Sequence, residues 1–366
     1  MIRFKQTYDT CGTGLAYQMA IYVLMRSIEE RTGLDWVISV NELQALRNTF
    51  TGLKLDIRNK EEEDYTVVEV DDEAGFDGIL AKVTDGVELD LYPTPKNFVA
   101  TGDNGDLYAQ IKEEFVFRGD VEEKCRNFRD TIGGEVIAMH VRRGDFADIA
   151  NGMFLCGSDY YENALRELPE DLPVLIFTND KDGVIADNEL IASNPSRFTF
   201  VTDLFNDNHF INCDVGQELD RLVDINGDCR FTYKGALAKL AKDRLDVAPT
   251  YTELTDKMAE IAKELHPTYV QKLKTHSYNY SFDMCLMSLC DYVIMANSTY
   301  SIWGAELSTA NKVIYPKYWI QGHADDVQVK TDLAGEDQAR ERCVQLNRDH
   351  YIPVENPDPR SFTVVS

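Results

Sequence analysis

Short apolar runs that end in polar side chains recur along the chain. The run V-I-A-M-H-V occupies residues 136–141, and similar runs occupy 173–178 and 292–296. An unbroken run of this length, bounded by glycine or turn residues, predicts a strand buried on both faces, as in a parallel sheet. Helical patterns separate these runs. We therefore predict an α/β fold with doubly wound parallel sheets.

The first part of the chain carries a second set of patterns. Apolar positions from Leu15 to Met25 fall near helical spacing, which predicts a helix. Residues 35–40 and 65–70 are rich in β-branched side chains and predict two strands. Residues 71–106 contain many glycines and aspartates, so we expect loops there.

The length of 366 residues suggests about two domains at roughly 150 residues each. Residues 120–130 predict a linking helix, so we place the boundary just after it. The predicted domains are 1–132 and 133–335, the second with a mostly helical insertion at about 204–280. Further on, residues 158–165 predict a helix capped by Ser158 or Asp159.

A dense polar cluster, H-V-R-R-G-D at residues 140–145, ends the first of the apolar runs. Open α/β sheets bind ligands beyond the carboxyl ends of their strands. Adjacent Arg142 and Arg143 suit an anionic ligand, because guanidinium forks grip phosphate oxygens in pairs. The alternative is a solvated loop in which Arg143 and Asp145 form a weak surface ion pair.

The same cluster resembles the H-x-R-R-G-D signature of α-1,2-fucosyltransferases and their relatives, a glycosyltransferase family 11-like group. An N-terminal segment resembles the family's G-x-L-G-N-Q-M/L motif, although Ala16 and Tyr17 replace glycine and asparagine. A later segment resembles the family's D-M-x-L-M-S-x-C…N-S-S-F-S-W-W-G motif, although Ile302 replaces one tryptophan. The segments that carry the resemblance are 12–19, 140–145, 156–164, 283–307 and 312–319.

The resemblance implies a GT-B-like architecture, with two Rossmann-type lobes, a cleft between them and the donor on the C-terminal lobe. It implies inverting transfer of L-fucose from GDP-β-L-fucose to a glycan or oligosaccharide acceptor, at galactose O2 for an α-1,2 linkage, without a metal or other cofactor. In two-lobed glycosyltransferases, a tail such as residues 336–366 often returns to the first lobe. Animal members are Golgi-anchored, whereas this chain resembles soluble bacterial or viral counterparts.

The resemblance also implies roles for individual residues. Arg142 is the first choice for the leaving diphosphate, with Arg143 assisting it or anchoring Asp145. Asp145 is a candidate base, but a carboxylate beside two arginines is a weak base, and His140 either binds substrate or orients the strand end. The base thus stays open. The expected donor-binding residues are Gly14, Gln18, Thr178, Asn179, Asp180, Asn297, Ser298, Thr299, Ser301 and Trp303.

Charge and cysteine usage narrow the function classes. The net charge of −26 argues against binding nucleic acid or anionic membranes, both of which need basic surfaces. The eight cysteines form no C-x-x-C pair, so we expect reduced thiols and no structural zinc site. Residues 1–9 contain no apolar signal region, and no apolar run approaches the roughly 20 residues of a membrane span, so we expect a soluble, cytoplasmic protein.

Two other hypotheses remain open. Asp180 and Asp182 follow a strand and match the D-x-D metal site of other glycosyltransferases, so Mg²⁺ or Mn²⁺ could neutralise the diphosphate of a GDP-sugar. The replacement Tyr17 and the insertion are also compatible with a non-catalytic protein that binds nucleotides or glycans.

Overall fold

The chain divides into two units of parallel α/β structure. The first unit comprises Met1–Arg118 with Phe205–Ser281, and the second comprises Gly119–Leu204 with Phe282–Ser366. The computed structural model describes residues 1–4, 15–38, 43–57, 65–70, 76–90, 105–143, 156–178, 180–201, 279–317 and 350–354.

Within the described residues of the first unit, five short strands pair in parallel. They pair in the orders β1-β5-β4 and β2-β3, and a parallel bridge between Ile2 and Trp36 joins the two sets. The elements are β1 (Ile2–Phe4), α1 (Leu15–Thr32), β2 (Val37–Ile38), α2 (Gln44–Thr49), β3 (Asp56–Ile57), β4 (Thr66–Glu69), α3 (Phe76–Leu80), β5 (Val87–Asp90) and α4 (Gly105–Lys112).

Helix α1 and strands β2 and β4 confirm the elements that the pattern predicts for residues 15–25, 35–40 and 65–70. The prediction of loops over residues 71–106 is wrong where the structure describes that segment. It contains α3 and β5, and β5 lies between β1 and β4 in the sheet. The sequence of β5, V-E-L-D, has only four residues, and two of them are acidic, so a search for apolar runs does not identify it as a strand.

A buried ion-pair network ties α1 to the segment after α4. Glu114 accepts hydrogen bonds from Arg26 Nε and Nη2 at 3.1 Å each, and from the Tyr22 hydroxyl. Lys54 Nζ approaches Glu114 at 2.9 Å. Burial alone would raise the pKa of Glu114, but these three donors hold it below its usual range. The carboxylate is therefore ionised and fully engaged inside the unit.

In the described part of the second unit, six parallel strands form one sheet. Numbered along the unit, they lie in the order 3-2-1-4-5-6, which is the order of Rossmann-type sheets. The elements are α5 (Gly119–Ile132), β6 (Ile137–Val141), α6 (Ser158–Arg166), β7 (Val174–Thr178), α7 (Lys181–Asp187), α8 (Glu189–Ser193), β8 (Phe198–Phe200), α9 (Asn279–Ser288), β9 (Tyr292–Ile294), α10 (Thr299–Glu306), β10 (Lys312–Pro316) and β11 (Tyr351–Val354).

The predicted strands at the centre of this sheet are confirmed. All five residues of β6 and all five of β7 are buried, as expected for strands covered on both faces. Strand β9 likewise forms where an apolar run predicts it, and β10 forms within the segment 312–319 that carries the resemblance. The fold class, α/β with parallel sheets, therefore agrees with the sequence.

The division between units differs from the predicted domains. Helix α5 belongs to the second unit, because Arg129 Nη2 donates to Asp291 at 2.5 Å and the Cys125 thiol donates to the Phe282 carbonyl at 3.6 Å. The boundary therefore precedes this helix instead of following it. Of the expected insertion at 204–280, only the last two residues lie within the described ranges.

The described part of the tail also differs from expectation. Strand β11 adds to β10 in the second unit, with Ile314 opposite Ile352, and does not return to the first unit. Helix α6 has a different cap as well. Gly157 is its N-cap residue, because the Ser158 hydroxyl donates instead to the carbonyl of Asp187.

Candidate functional site

The strand order of the second unit reverses between β6 and β9. Strand β6 continues on one side to β7 and β8, and β9 continues on the other side to β10 and β11. In sheets of this kind, the crevice outside the carboxyl ends of the two strands is the usual ligand site. His140 and Arg142 lie at the end of β6, and Asn297 and Ser298 follow β9. The sheet therefore brings the two signature segments to one place.

His140 is tied to the segment after β9 through Ser301. The hydroxyl of Ser301 accepts the Ala296 N–H at 3.1 Å and is hydrogen-bonded to Nδ1 of His140. Because Ser301 Oγ already accepts the Ala296 N–H, its own hydroxyl hydrogen finds an acceptor when Ser301 donates to Nδ1 of His140. Nδ1 then carries no hydrogen, and the ring hydrogen of the neutral imidazole lies on Nε2. Burial, aided by the positive charge of Arg142, lowers the pKa of His140 to about 3. His140 is therefore a neutral group whose Nε2 can donate a hydrogen bond.

The two neighbouring arginines differ in their surroundings. Arg143 Nε donates to Asp180 at 3.3 Å, and its Nη2 lies 2.6 Å from Asp187. These pairs tie the end of β6 to both ends of α7. Gly183 is needed there, because a Cβ at this position would lie 2.1 Å from Asp180 Oδ2 and 2.8 Å from Arg143 Nε.

Arg142 is half-buried, and its positive charge acts on the neighbouring His140 ring. Arg143, in contrast, holds the strand end in position through its ion pairs with Asp180 and Asp187. Asp145, the predicted partner of Arg143, lies outside the described residues.

The start of α10 supplies backbone donors at the same edge. Ser298 is its N-cap residue and accepts the Tyr300 N–H at 3.3 Å, and Thr299 is the first helical residue. Asn297 is 1% exposed, and its side-chain oxygen accepts the Cys156 thiol at 3.6 Å. The cap uses the Tyr300 N–H, and the positive end of the helix dipole favours an anion in front of the helix.

The remaining predicted donor-binding residues have mostly structural contacts. Thr178 Oγ1 accepts the Asp180 N–H at 3.1 Å, and Trp303 is buried within α10. In the first unit, Gln18 Oε1 accepts the Leu46 N–H at 2.9 Å. Gly14 and Asn179 lie outside the described residues.

The D-x-D pair has an unfavourable arrangement for a metal site. Asp180 is the N-cap of α7, and its Oδ1 accepts the Gly183 N–H at 3.0 Å while its Oδ2 accepts from Arg143. Both oxygens of this carboxylate are thus engaged by donors, whereas Asp182 lies exposed on the first turn of α7.

One further carboxyl belongs to the D-M motif but was not among the predicted site residues. Asp283 lies in α9 near Tyr300, whose ring packs on His140 with centroids 5.6 Å apart. Among the described residues, its shielded Oδ1 has no hydrogen-bond partner. Burial raises its pKa to about 8. The D-M motif marks Asp283 in the sequence, but the sequence does not show that its carboxyl is shielded from solvent.

Comparison with known proteins adds no relative. No protein-family model matches the chain, and no curated protein matches it. In the part of the chain that the structure describes, no helix has the length and apolar character needed to cross a bilayer.

Proposed function

We propose that the protein is an inverting, metal-independent fucosyltransferase that moves L-fucose from GDP-β-L-fucose to a hydroxyl of a glycan acceptor, with galactose O2 the first acceptor to test. The observation that carries the proposal is the convergence of Arg142, neutral His140 and the start of α10 at the reversal point of a 3-2-1-4-5-6 sheet. The GT-B arrangement of two lobes and a cytoplasmic location are parts of the same proposal.

A nucleotide diphosphate suits this group of donors. Arg142 offers a planar fork to phosphate oxygens, and the N–H groups at the start of α10 offer further donors. His140 remains neutral at physiological pH, so its Nε2 adds a hydrogen-bond donor without a second charge. In a protein of net charge −26, such a local set of donors is what a dianionic or trianionic ligand requires.

The guanine and fucose parts of the proposal come from the motif resemblance. Guanine presents two adjacent N–H donors to hydrogen-bond acceptors in a protein. A uracil base lacks that pair of donors. A comparison of GDP-sugars with UDP-sugars therefore tests this step directly.

The proposed reaction is a single displacement at the anomeric carbon. The acceptor oxygen attacks, the C–O bond to the β-phosphate breaks, and GDP leaves with inverted configuration at the sugar. Arg142 and the α10 N–H groups stabilise negative charge as it develops on the leaving diphosphate, which preorganised donors do well. The transition state is strongly oxocarbenium-like, so a weak base is enough to take the acceptor proton.

Asp145 stays the candidate for that base, and His140 does not suit the role in its neutral Nε2–H form. The metal-dependent alternative needs Asp180 as a ligand, and that carboxylate already caps α7 and receives Arg143. A non-catalytic relative would use the same crevice for GDP without transfer.

The test is an incubation of the full chain with GDP-fucose and galactose-terminated acceptors in the presence of EDTA, followed by mass spectrometry of the acceptor. We expect a fucosylated product at the rate seen with added Mg²⁺. Binding of GDP without transfer or hydrolysis would favour the non-catalytic alternative, and activity that EDTA abolishes would favour the metal-dependent one.

A further inference from the structure

The ladder between β6 and β9 stops at a defined point. Its pairs are Ile137 with Tyr292, Ala138 with Val293 and Met139 with Ile294. Val136 C=O accepts the Tyr292 N–H at 3.3 Å, so alternate residues of the strand, Val136, Ala138 and His140, turn their peptide groups toward β9. If the register continued, the next bond would join the Ala296 N–H to the His140 C=O.

Both groups of that missing bond are occupied by side-chain hydroxyls. The Ala296 N–H donates to Ser301 Oγ at 3.1 Å, and the His140 C=O accepts the Tyr161 hydroxyl at 3.1 Å. Ser301 and Tyr161 are 0% and 2% exposed, so water is not there to replace them. Neither buried backbone group is left unsatisfied when the strands separate.

We propose that Tyr161 and Ser301 hold β6 and β9 apart at their carboxyl ends and so keep the ligand crevice open. Tyr161 is a positioning residue, since its hydroxyl, on helix α6, donates to the backbone C=O of His140. The identity of the ligand rests on the proposed function, whereas the separation of the strands does not.

The neighbouring Tyr160 provides a matched control. It is 0% exposed, and its hydroxyl donates to the Met295 C=O at 2.6 Å. Met295 faces β10, where its N–H donates to Ile314 C=O at 2.8 Å. In the same register its C=O would meet Pro316, which has no N–H. Tyr160 therefore supplies a donor that the ladder lacks, on the side of β9 away from the crevice.

The first test compares two double-mutant cycles in the full chain without ligand. Amide exchange of β6 in the EX2 regime reports the opening equilibrium of this strand. Each of Tyr161→Phe, Tyr160→Phe and Ser301→Ala should speed that exchange about tenfold, from one lost buried hydrogen bond. In the variant that combines Tyr160→Phe with Ser301→Ala, the two effects should multiply, so that β6 amides exchange roughly a hundredfold faster than in the wild type.

In the variant that combines Tyr161→Phe with Ser301→Ala, the exchange of β6 amides should be only about tenfold faster than in the wild type. The two effects do not multiply, because the released Ala296 N–H and His140 C=O bond to each other. The lost contact between Ser301 and His140 Nδ1 is common to both cycles and cancels. A multiplicative effect in this pair, equal to that of the Tyr160 pair, would overturn the proposal.

The second test measures GDP binding to the same full-chain variants by calorimetry. Tyr161→Phe combined with Ser301→Ala should weaken GDP binding at least about tenfold more than Tyr160→Phe combined with Ser301→Ala, because only the first pair lets the Ala296 N–H bond to the His140 C=O and narrow the crevice. Equal effects of the two pairs would contradict the proposal. If the wild-type chain binds no GDP, the proposed function fails, and the exchange cycles alone decide the role of Tyr161.

Discussion

Replacement of Arg142 by alanine should remove most of the stabilisation of the leaving diphosphate. The positive charge of Arg142 helps to lower the pKa of the neighbouring His140, and preorganised donors at developing charge typically contribute about 10²–10³ in kcat, or roughly 2.7–4 kcal/mol. We expect Arg142→Ala to lower kcat for GDP-fucose by that factor. Arg142→Lys should recover only part of it, because lysine keeps the charge but loses the planar fork.

Arg143→Ala is the matched control for this prediction. Its partners Asp180 and Asp187 have side chains 36% and 57% exposed, so solvent screening limits the pairs to about 1 kcal/mol each. We expect Arg143→Ala to lose roughly 1–2 kcal/mol of unfolding free energy and less than about tenfold in kcat.

The assay is the initial rate of GDP release from GDP-fucose with a galactose-terminated acceptor, on variants first shown to be folded by circular dichroism. Our reasoning about Arg142 is refuted if Arg142→Ala keeps kcat within about threefold of wild type. It is also refuted if the two alanine variants lose kcat equally, since the contrast between the neighbours would then have no catalytic meaning.

Three further predictions concern stability. Glu114→Ala should cost about 1–3 kcal/mol in urea unfolding, because the buried Tyr22 hydroxyl and Arg26 Nε lose their acceptor although Glu29 and Glu30 still pair with Arg26; a loss below about 0.5 kcal/mol would contradict this. Gly183→Ala should cost roughly 1–3 kcal/mol and lower the melting temperature, since its Cβ meets Asp180 and displaces the cap of α7; an unchanged melting temperature would disagree. Asp283 has its pKa raised to about 8, so the folded state keeps a proton that the unfolded state loses above pH ~4. The wild type should therefore lose stability as pH rises from about 4 to 8, by at most roughly 1.4 kcal/mol per pH unit, relative to Asp283→Asn; parallel profiles in urea titrations would count against it.

The sequence predicts the centre of the second unit well, because its strands are covered on both faces. β6 and β7 are unbroken apolar runs that end at polar clusters, and the structure confirms them. Strands β5 and β11 were not predicted. β5 is short and half acidic, and β11 carries Pro353 and acquires its place only by pairing with β10.

The candidate site shows the same division between local pattern and tertiary contact. Motif similarity selected His140, Arg142 and Ser301, and the sheet brings them to one strand edge. It could not separate the two arginines, since only the position of α7 commits Arg143 to Asp180 and Asp187. The hydrogen bond from the Tyr161 hydroxyl to the His140 carbonyl likewise depends on how α6 packs against the sheet.

A crystal structure of the full chain with GDP, grown in EDTA, tests the central claim most directly. We expect the β-phosphate to lie within hydrogen-bonding distance of the Arg142 guanidinium and of the N–H groups at the start of α10, with no metal between them. GDP bound away from the ends of β6 and β9, or crystals that take up no GDP at millimolar concentration, would contradict it.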